Sequence, residues 1–365
     1  MVCGTNSDAG KTHVVTGLCR LFARRGVSVS PFKSQNMSLN SYVTPSGHEI
    51  GRAQGIQAVA AGVAPEVAMN PILLKPTGER TSQVVLRGRP VAHMDAASYH
   101  AEKPALFAVA MESLEDLRGR FDVVICEGAG SPAEINLADR DLVNLRVAAE
   151  AGIPAIVVGD IDRGGVFAAL YGTVALQPDR HRRLIKGFII NKLRGDPALL
   201  ADGPAELERR CGVPTLGVLP WLHGVSLDAE DSLCLSSDRG LAPPGPGLDV
   251  AVIRLPRISN FTDLDALEVE PCVGVRMVST PGALGDPDLV VLPGSKATVG
   301  DLDWLRGRGL DTALMEASKR HTVILGLCGG YQMLGRSIVD NVESCRGEVT
   351  GLGWLDVVTT FGADK

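Results

Sequence analysis

Two short stretches of this chain carry residue types and spacings that do chemistry. The first, Gly4-Thr5-Asn6-Ser7-Asp8-Ala9-Gly10-Lys11-Thr12, has the make-up of a phosphate-binding loop. Gly4 and Gly10 let backbone N–H groups turn inward around phosphate oxygens, Lys11 places a cation near the β/γ-phosphates, and Thr12 brings a hydroxyl to Mg²⁺. Five residues separate the two glycines where the common pattern has four, so the loop is a variant, with Asp8 inside it. The second stretch, Gly326-Leu327-Cys328-Gly329-Gly330, reads as a strand-to-helix elbow that lifts a cysteine nucleophile above a sheet. The Gly329 N–H and a second N–H from the Pro293-Gly294-Ser295 loop, at Gly294, would form an oxyanion hole for it. One site supplies an activated phosphoryl group and the other opens an amide or ester, a pairing that implies ATP-driven transfer of nitrogen.

Further candidates sit at the ends of apolar runs. Glu127 follows Asp122-Val123-Val124-Ile125-Cys126, at the strand end where open α/β sheets gather ligands, and is assigned with Thr12 to Mg²⁺. Asn191-Lys192-Leu193-Arg194 resembles the Asn-Lys-x-Asp guanine reader but has Arg194 in place of the aspartate, which argues for adenine; Asn191 then stands either at the adenine edge or in a simple strand-ending turn. The loop Asp160-Ile161-Asp162-Arg163-Gly164-Gly165 also follows a strand, so its charges face the same crevice. A nucleophilic cysteine needs a base, and the only histidine in this half is His321. At about 3.3 Å per residue along the intervening strand, it lies roughly 20 Å from Cys328.

The elements that must position these residues are those of two α/β domains. A chain of 365 residues that is 45% hydrophobic and 21% charged is globular and long enough for two cores. Val123 to Cys126, Ala155 to Val158, Gly187 to Ile190 and Thr215 to Val218 alternate with helical stretches as βαβ units do. A Pro/Gly linker at 242–247 separates a first domain, 1–241, from a second at 248–365, whose strands are Asp249 to Ile253, Leu289 to Leu292 and Thr322 to Leu325. The second domain, about 120 residues, is small for a sheet covered on both faces, so its C-terminal part is expected to be missing.

A formal net charge of −6 lacks the electrostatic footprint of a nucleic-acid binder. Eight scattered cysteines without CxxC pairs read as reduced cytosolic thiols. No apolar run approaches the roughly 18 residues of a membrane span. A soluble cytoplasmic protein with small-molecule partners is expected, with neither nucleic acid nor membrane among them.

Longer stretches carry a resemblance. Gly4 to Thr12, Pro31-Phe32-Lys33-Ser34-Gln35-Asn36-Met37, Glu49-Ile50-Gly51-Arg52-Ala53-Gln54, Met69-Asn70-Pro71, Leu74-Lys75-Pro76, Asp160 to Phe167 and Gly326 to Gly335 resemble the cobyric acid synthase family nearly end to end. The resemblance implies a P-loop NTPase-type, dethiobiotin synthetase-like parallel-sheet domain, followed by a flavodoxin-like class I glutamine amidotransferase domain, incomplete here. It implies that glutamine yields ammonia at Cys328 and that ATP with Mg²⁺ activates corrinoid side-chain carboxylates, as acyl phosphates, for amidation. The family substrate is adenosylcobyrinic acid a,c-diamide, amidated at b, d, e and g, and members continue past Lys365 into a segment bearing the catalytic histidine. An anionic substrate of that size suggests Lys33, Arg52, Lys75 and Arg163 as its contacts. The alternatives are the related cobyrinic acid a,c-diamide synthase, disfavoured by Pro31 to Met37 and Asp160 to Phe167, and a non-catalytic nucleotide-binding module.

Overall fold

The computed structural model describes residues 1–78, 81–200, 202–222, 225, 227 and 247–362. The chain divides into two compact units, one of Met1–Met37, Ser41–Leu74 and Gln83–Asp228, the other of Ser38–Asn40, Lys75–Ser82 and Ala229–Lys365. The Pro/Gly linker expected at 242–247 lies, apart from Gly247, outside the described residues.

In the first unit, strands Val2–Gly4, Ala155–Asp160, Ile185–Leu193 and Thr215–Pro220 form a parallel sheet in that order. Val29–Phe32 and Val123–Cys126 pair in parallel beside it, and a bridge between Val2 and Glu127 joins the two sets. These runs are apolar on both faces because helices cover both. Cys3, Val157, Phe188 and Ile190 pack on one side and Val2, Val15, Val29 and Val158 on the other. The helix Lys11–Arg24, here α1, packs Val14, Val15 and Cys19 against the sheet at helical spacing, with polar residues outward. A second helix, Arg52–Ala61 or α2, packs against it and buries Gln54 and Gln57 as well as Ala53 and Ala58. A smaller sheet runs in the order Gln35–Met37, Ile72–Pro76, Thr81–Leu86, Arg89–Asp95.

The second unit is built on a parallel sheet in the order Val273–Val278, Leu248–Ile253, Leu289–Leu292, Val323–Gly326. Numbered along the chain that is 2-1-3-4, the start of the flavodoxin-like order, in which ligands gather beyond the carboxyl ends of the strands. Its core joins Ala251, Ile253, Val290 and Leu292 to Leu302, Leu305, Leu310 and Leu314 of the helices Thr298–Gly307 and Leu310–Lys319. A three-stranded sheet pairs Ser337–Asp340 with Gly347–Thr350 and Val358–Thr360.

Candidate functional site

The phosphate loop leaves the strand Val2–Gly4 and turns into α1 through two left-handed residues, Asp8 at φ 60 and Gly10 at φ 97. Lys11 folds back into the loop, its Nζ donating to Asn6 O at 2.9 Å and to Gly130 O at 3.0 Å, and its side chain is buried. Asn191 braces the loop from the next strand but one, donating Nδ2 to Ala9 O at 3.0 Å. A Cβ on Gly10 would collide with that same amide. Backbone strain of ~1–2 kcal/mol for a side chain at such a φ should therefore cost Gly10→Ala about tenfold in nucleotide affinity. A titration with a fluorescent ATP analogue checks this; unchanged affinity would show that the loop tolerates a shifted Asn191.

Glu127 is the hub of the site. Its side chain is fully buried, a position that a carboxylate tolerates only with several donors. Thr12 Oγ1 donates to Oε1 at 3.0 Å, Lys33 Nζ lies 3.0 Å from the same oxygen, and Gln57 Nε2 donates to Oε2 at 2.5 Å. The first helical turn after the phosphate loop, the end of the strand Val29–Phe32 and α2 thus converge on one carboxylate. Among the described residues no group of three or more His, Cys, Asp or Glu gathers as a metal cage. A hydroxyl and a carboxylate oxygen in contact beside a phosphate loop nevertheless suit Mg²⁺, which takes one or two protein oxygens and completes its shell with phosphates and water. Gln57 was not visible as a site residue in the sequence, because its partner lies 70 positions away.

At the mouth of the loop, Lys192, left-handed at φ 65, donates Nζ to Asp8 O at 2.7 Å and to Asp160 Oδ2 at 2.8 Å. Arg163, largely exposed, stands 3.8 Å from Asp8 and 3.9 Å from Asp160. Arg194 pairs with Asp162 at 2.6 Å and stacks 3.7 Å over the Trp221 ring. Arg52 lies 6.0 Å over the Tyr42 ring, and Lys75 is buried and belongs to the second compact unit. Of the four basic residues expected on an anionic substrate, Lys33 and Arg163 therefore stand at the phosphate loop and its Glu127 hub.

In the second unit Cys328 follows the strand Val323–Gly326 at φ 46 and ψ −108 and opens the short helix Gly329–Leu334. The thiol is exposed. The elbow needs its glycines: a Cβ on Gly330 would collide with Leu292 O, and the Gly330 N–H donates to Pro293 O at 3.1 Å and Leu327 O at 2.8 Å. Gly294 stands beside the cysteine, since a Cβ built on it would come 3.8 Å from that of Cys328. His321 occupies the turn before the strand at φ 68, at the far end of the strand from the thiol.

Behind the Gly294 loop lies Asp301, 2% exposed, accepting from Ser295 Oγ at 2.6 Å and Arg257 N at 3.1 Å. Burial pushes its carboxyl from 3.8 up to about 6, against the lowering by these two hydrogen bonds and the Arg257 charge. The folded state then binds the proton more tightly than the unfolded one. This group's contribution to stability is fully present below pH ~4, is lost as pH rises through about 6, and stays lost above it, about 3 kcal/mol at most. Asp301→Asn is expected to remove this fall, leaving a flatter melting temperature between pH 4 and 7; an unchanged slope would assign it to another group.

Residues 1–233 match the family model of the CobQ/CobB/MinD/ParA nucleotide binding domain, and residues 249–365 that of the CobB/CobQ-like glutamine amidotransferase domain. Cobyric acid synthase of Frankia casuarinae is 55% identical over 388 residues, spanning 100% of this chain and 75% of that protein. The same enzyme of Rhodococcus jostii is 56% identical over 370 residues, spanning 100% and 72%, and that of Yersinia enterocolitica 53% over 365 residues, spanning 100% and 71%. Among solved structures, the signal recognition particle receptor FtsY of Elizabethkingia anophelis superposes with a TM-score of 0.34 at 16% identity, over 60% of this chain and 57% of that one. With both domain models matched in order and identities above one half along its whole length, the chain belongs to the cobyric acid synthase family.

Proposed function

We propose that this chain amidates the b, d, e and g side-chain carboxylates of adenosylcobyrinic acid a,c-diamide, using ATP with Mg²⁺ and drawing nitrogen from glutamine. The observation that carries the reading is the buried Glu127 carboxylate, shared by Thr12 and Lys33 beside the phosphate loop. A carboxylate is a poor electrophile until one oxygen becomes a leaving group, and phosphorylation makes it one. Held by Thr12 and Glu127, Mg²⁺ would neutralise charge on the transferred phosphoryl group. Lys11 and Lys33 do the same from the protein side, while the phosphate-loop N–H groups orient the phosphates. Arg163, with Arg52, is proposed to meet the acidic corrinoid. Arg194, tied to Asp162 and Trp221 at the position where a guanine reader has aspartate, favours adenine, with Asn191 at its edge.

Residues 1–241 would do this chemistry in the cytoplasm, with 248–365 as the glutamine-hydrolysing part. There the Cys328 thiolate attacks the glutamine amide and the Gly329 and Gly294 N–H groups receive the oxyanion. The test supplies purified chain with adenosylcobyrinic acid a,c-diamide and ATP, and glutamine or ammonium separately, and reads products by mass spectrometry. ATP-dependent amides with ammonium are expected; nucleotide binding with no amide from either nitrogen source would favour a non-catalytic module.

A further inference from the structure

An oxyanion hole made of backbone N–H groups works only if the backbone is held still before the charge develops. The Gly294-Ser295 loop is held by a neighbouring segment: Ser259 N donates to Gly294 O at 2.9 Å, Lys296 N donates to Arg257 O at 2.9 Å, and Ile258 bridges Ser295. Both strips end on Asp301, whose Oδ2 takes the Ser295 hydroxyl at 2.6 Å and the Arg257 N–H at 3.1 Å. The hydroxyl is fixed from its other side by the Ala297 N–H at 3.0 Å. Ser295 in turn abuts the elbow, since a Cβ built on Gly329 would stand 2.8 Å from Ser295 N. One buried oxygen thus ties together the two segments that fix the loop beside Cys328.

We propose that Asp301 is a positioning residue for thiol addition: by gripping Ser295 and Arg257 it sets the Gly294-Ser295 backbone so that its N–H groups meet the oxyanion. In that step Sγ, its proton already lost to water, supplies the electron pair of the new S–C bond, the carbonyl π pair moves onto oxygen, and no other bond changes. Burial of this carboxyl costs stability, and a site that retains it gains loop geometry in return. The proposal rests on Cys328 being the nucleophile. Ammonium-dependent amidation, which uses the other unit, tells its failure apart from failure of the proposed function.

The test labels Cys328 in the full chain with two electrophiles and reads the adduct by mass spectrometry. With 6-diazo-5-oxo-L-norleucine, which is glutamine-shaped, the thiolate first adds to the carbonyl, whose oxygen must be held, and the adduct then rearranges to an S–CH2 ketone as the diazo carbon takes a proton and N2 leaves; iodoacetamide loses iodide by direct displacement and needs no oxyanion hole. In Asp301→Ala, which removes the accepting oxygen that asparagine would keep, the maximal rate with the diazo ketone is expected to fall about 30-fold, short of the 10²–10³ that follows deletion of a donor. Half-saturation and the iodoacetamide rate should stay within about threefold. Ser295→Ala, which leaves the carboxyl and its Arg257 bond in place, should give a loss of the same kind but no larger, and the double variant no more than Asp301→Ala alone, because the Ser295 bond is one of the two that Asp301 makes. It also carries the test if Asp301→Ala does not fold. Equal losses with both reagents would reduce Asp301 to a structural role. No loss, a loss confined to half-saturation, or no diazo-ketone labelling of the unmodified chain would each overturn the proposal.

Discussion

With Lys11→Ala, ATP-dependent amidation is expected to fall by about 10³-fold or more, with ammonium and with glutamine alike. Lys11 is the buried cation of the phosphate loop, held on the carbonyls of Asn6 and Gly130, so its Nζ needs no search to meet a phosphate. Activation of the carboxylate precedes attack by nitrogen, and loss of activation is blind to where the nitrogen comes from. Lys11→Met keeps the apolar stem that packs in the loop and should lose activity to the same degree, which separates charge from packing. Labelling of Cys328 by iodoacetamide should be unchanged in both variants. Ammonium-dependent product surviving at more than a few per cent would refute the assignment.

In a chain that includes the family's histidine-bearing segment, Cys328→Ser is expected to give the opposite pattern: glutamine-dependent amidation falls by about 10⁴-fold, as when a catalytic nucleophile is removed, while the ammonium-dependent rate stays within about twofold. Serine preserves the elbow and its close contact between Gly330 and the Leu292 carbonyl, so the fold of the second unit should be unaffected. Parallel measurement with the two nitrogen sources decides it. An equal loss with ammonium would mean that the thiol also serves the synthetase half.

The sheets were legible where apolar runs meet glycine or a polar strand end. Val123–Cys126 and Leu289–Leu292 lie where those runs predicted, and Thr322 to Leu325 is displaced by one residue, to Val323–Gly326. The hairpin strands Thr81–Leu86 and Arg89–Asp95 left no such mark, since the second is largely exposed and is held by backbone pairing rather than burial. At the sites, the glycine-bounded motifs announced the phosphate loop and the cysteine elbow because their geometry constrains local sequence. Gln57 and Asp301 did not, because a buried amide or acid on a helix has the same local spacing as one on a solvated face. Only folding brings Gln57 to Glu127 and Asp301 to Ser295 and Arg257.

The backbone of Cys328, at φ 46 and ψ −108, also bears on how this chain can change over generations. That region costs a residue with a side chain ~1–3 kcal/mol, and glycine would occupy it with little cost. At this one position, drift towards a sturdier protein and retention of the thiol pull in opposite directions. A lineage released from the need to use glutamine would be free to exchange the cysteine for glycine and emerge more heat-resistant, whereas one that still needs it must carry the handicap.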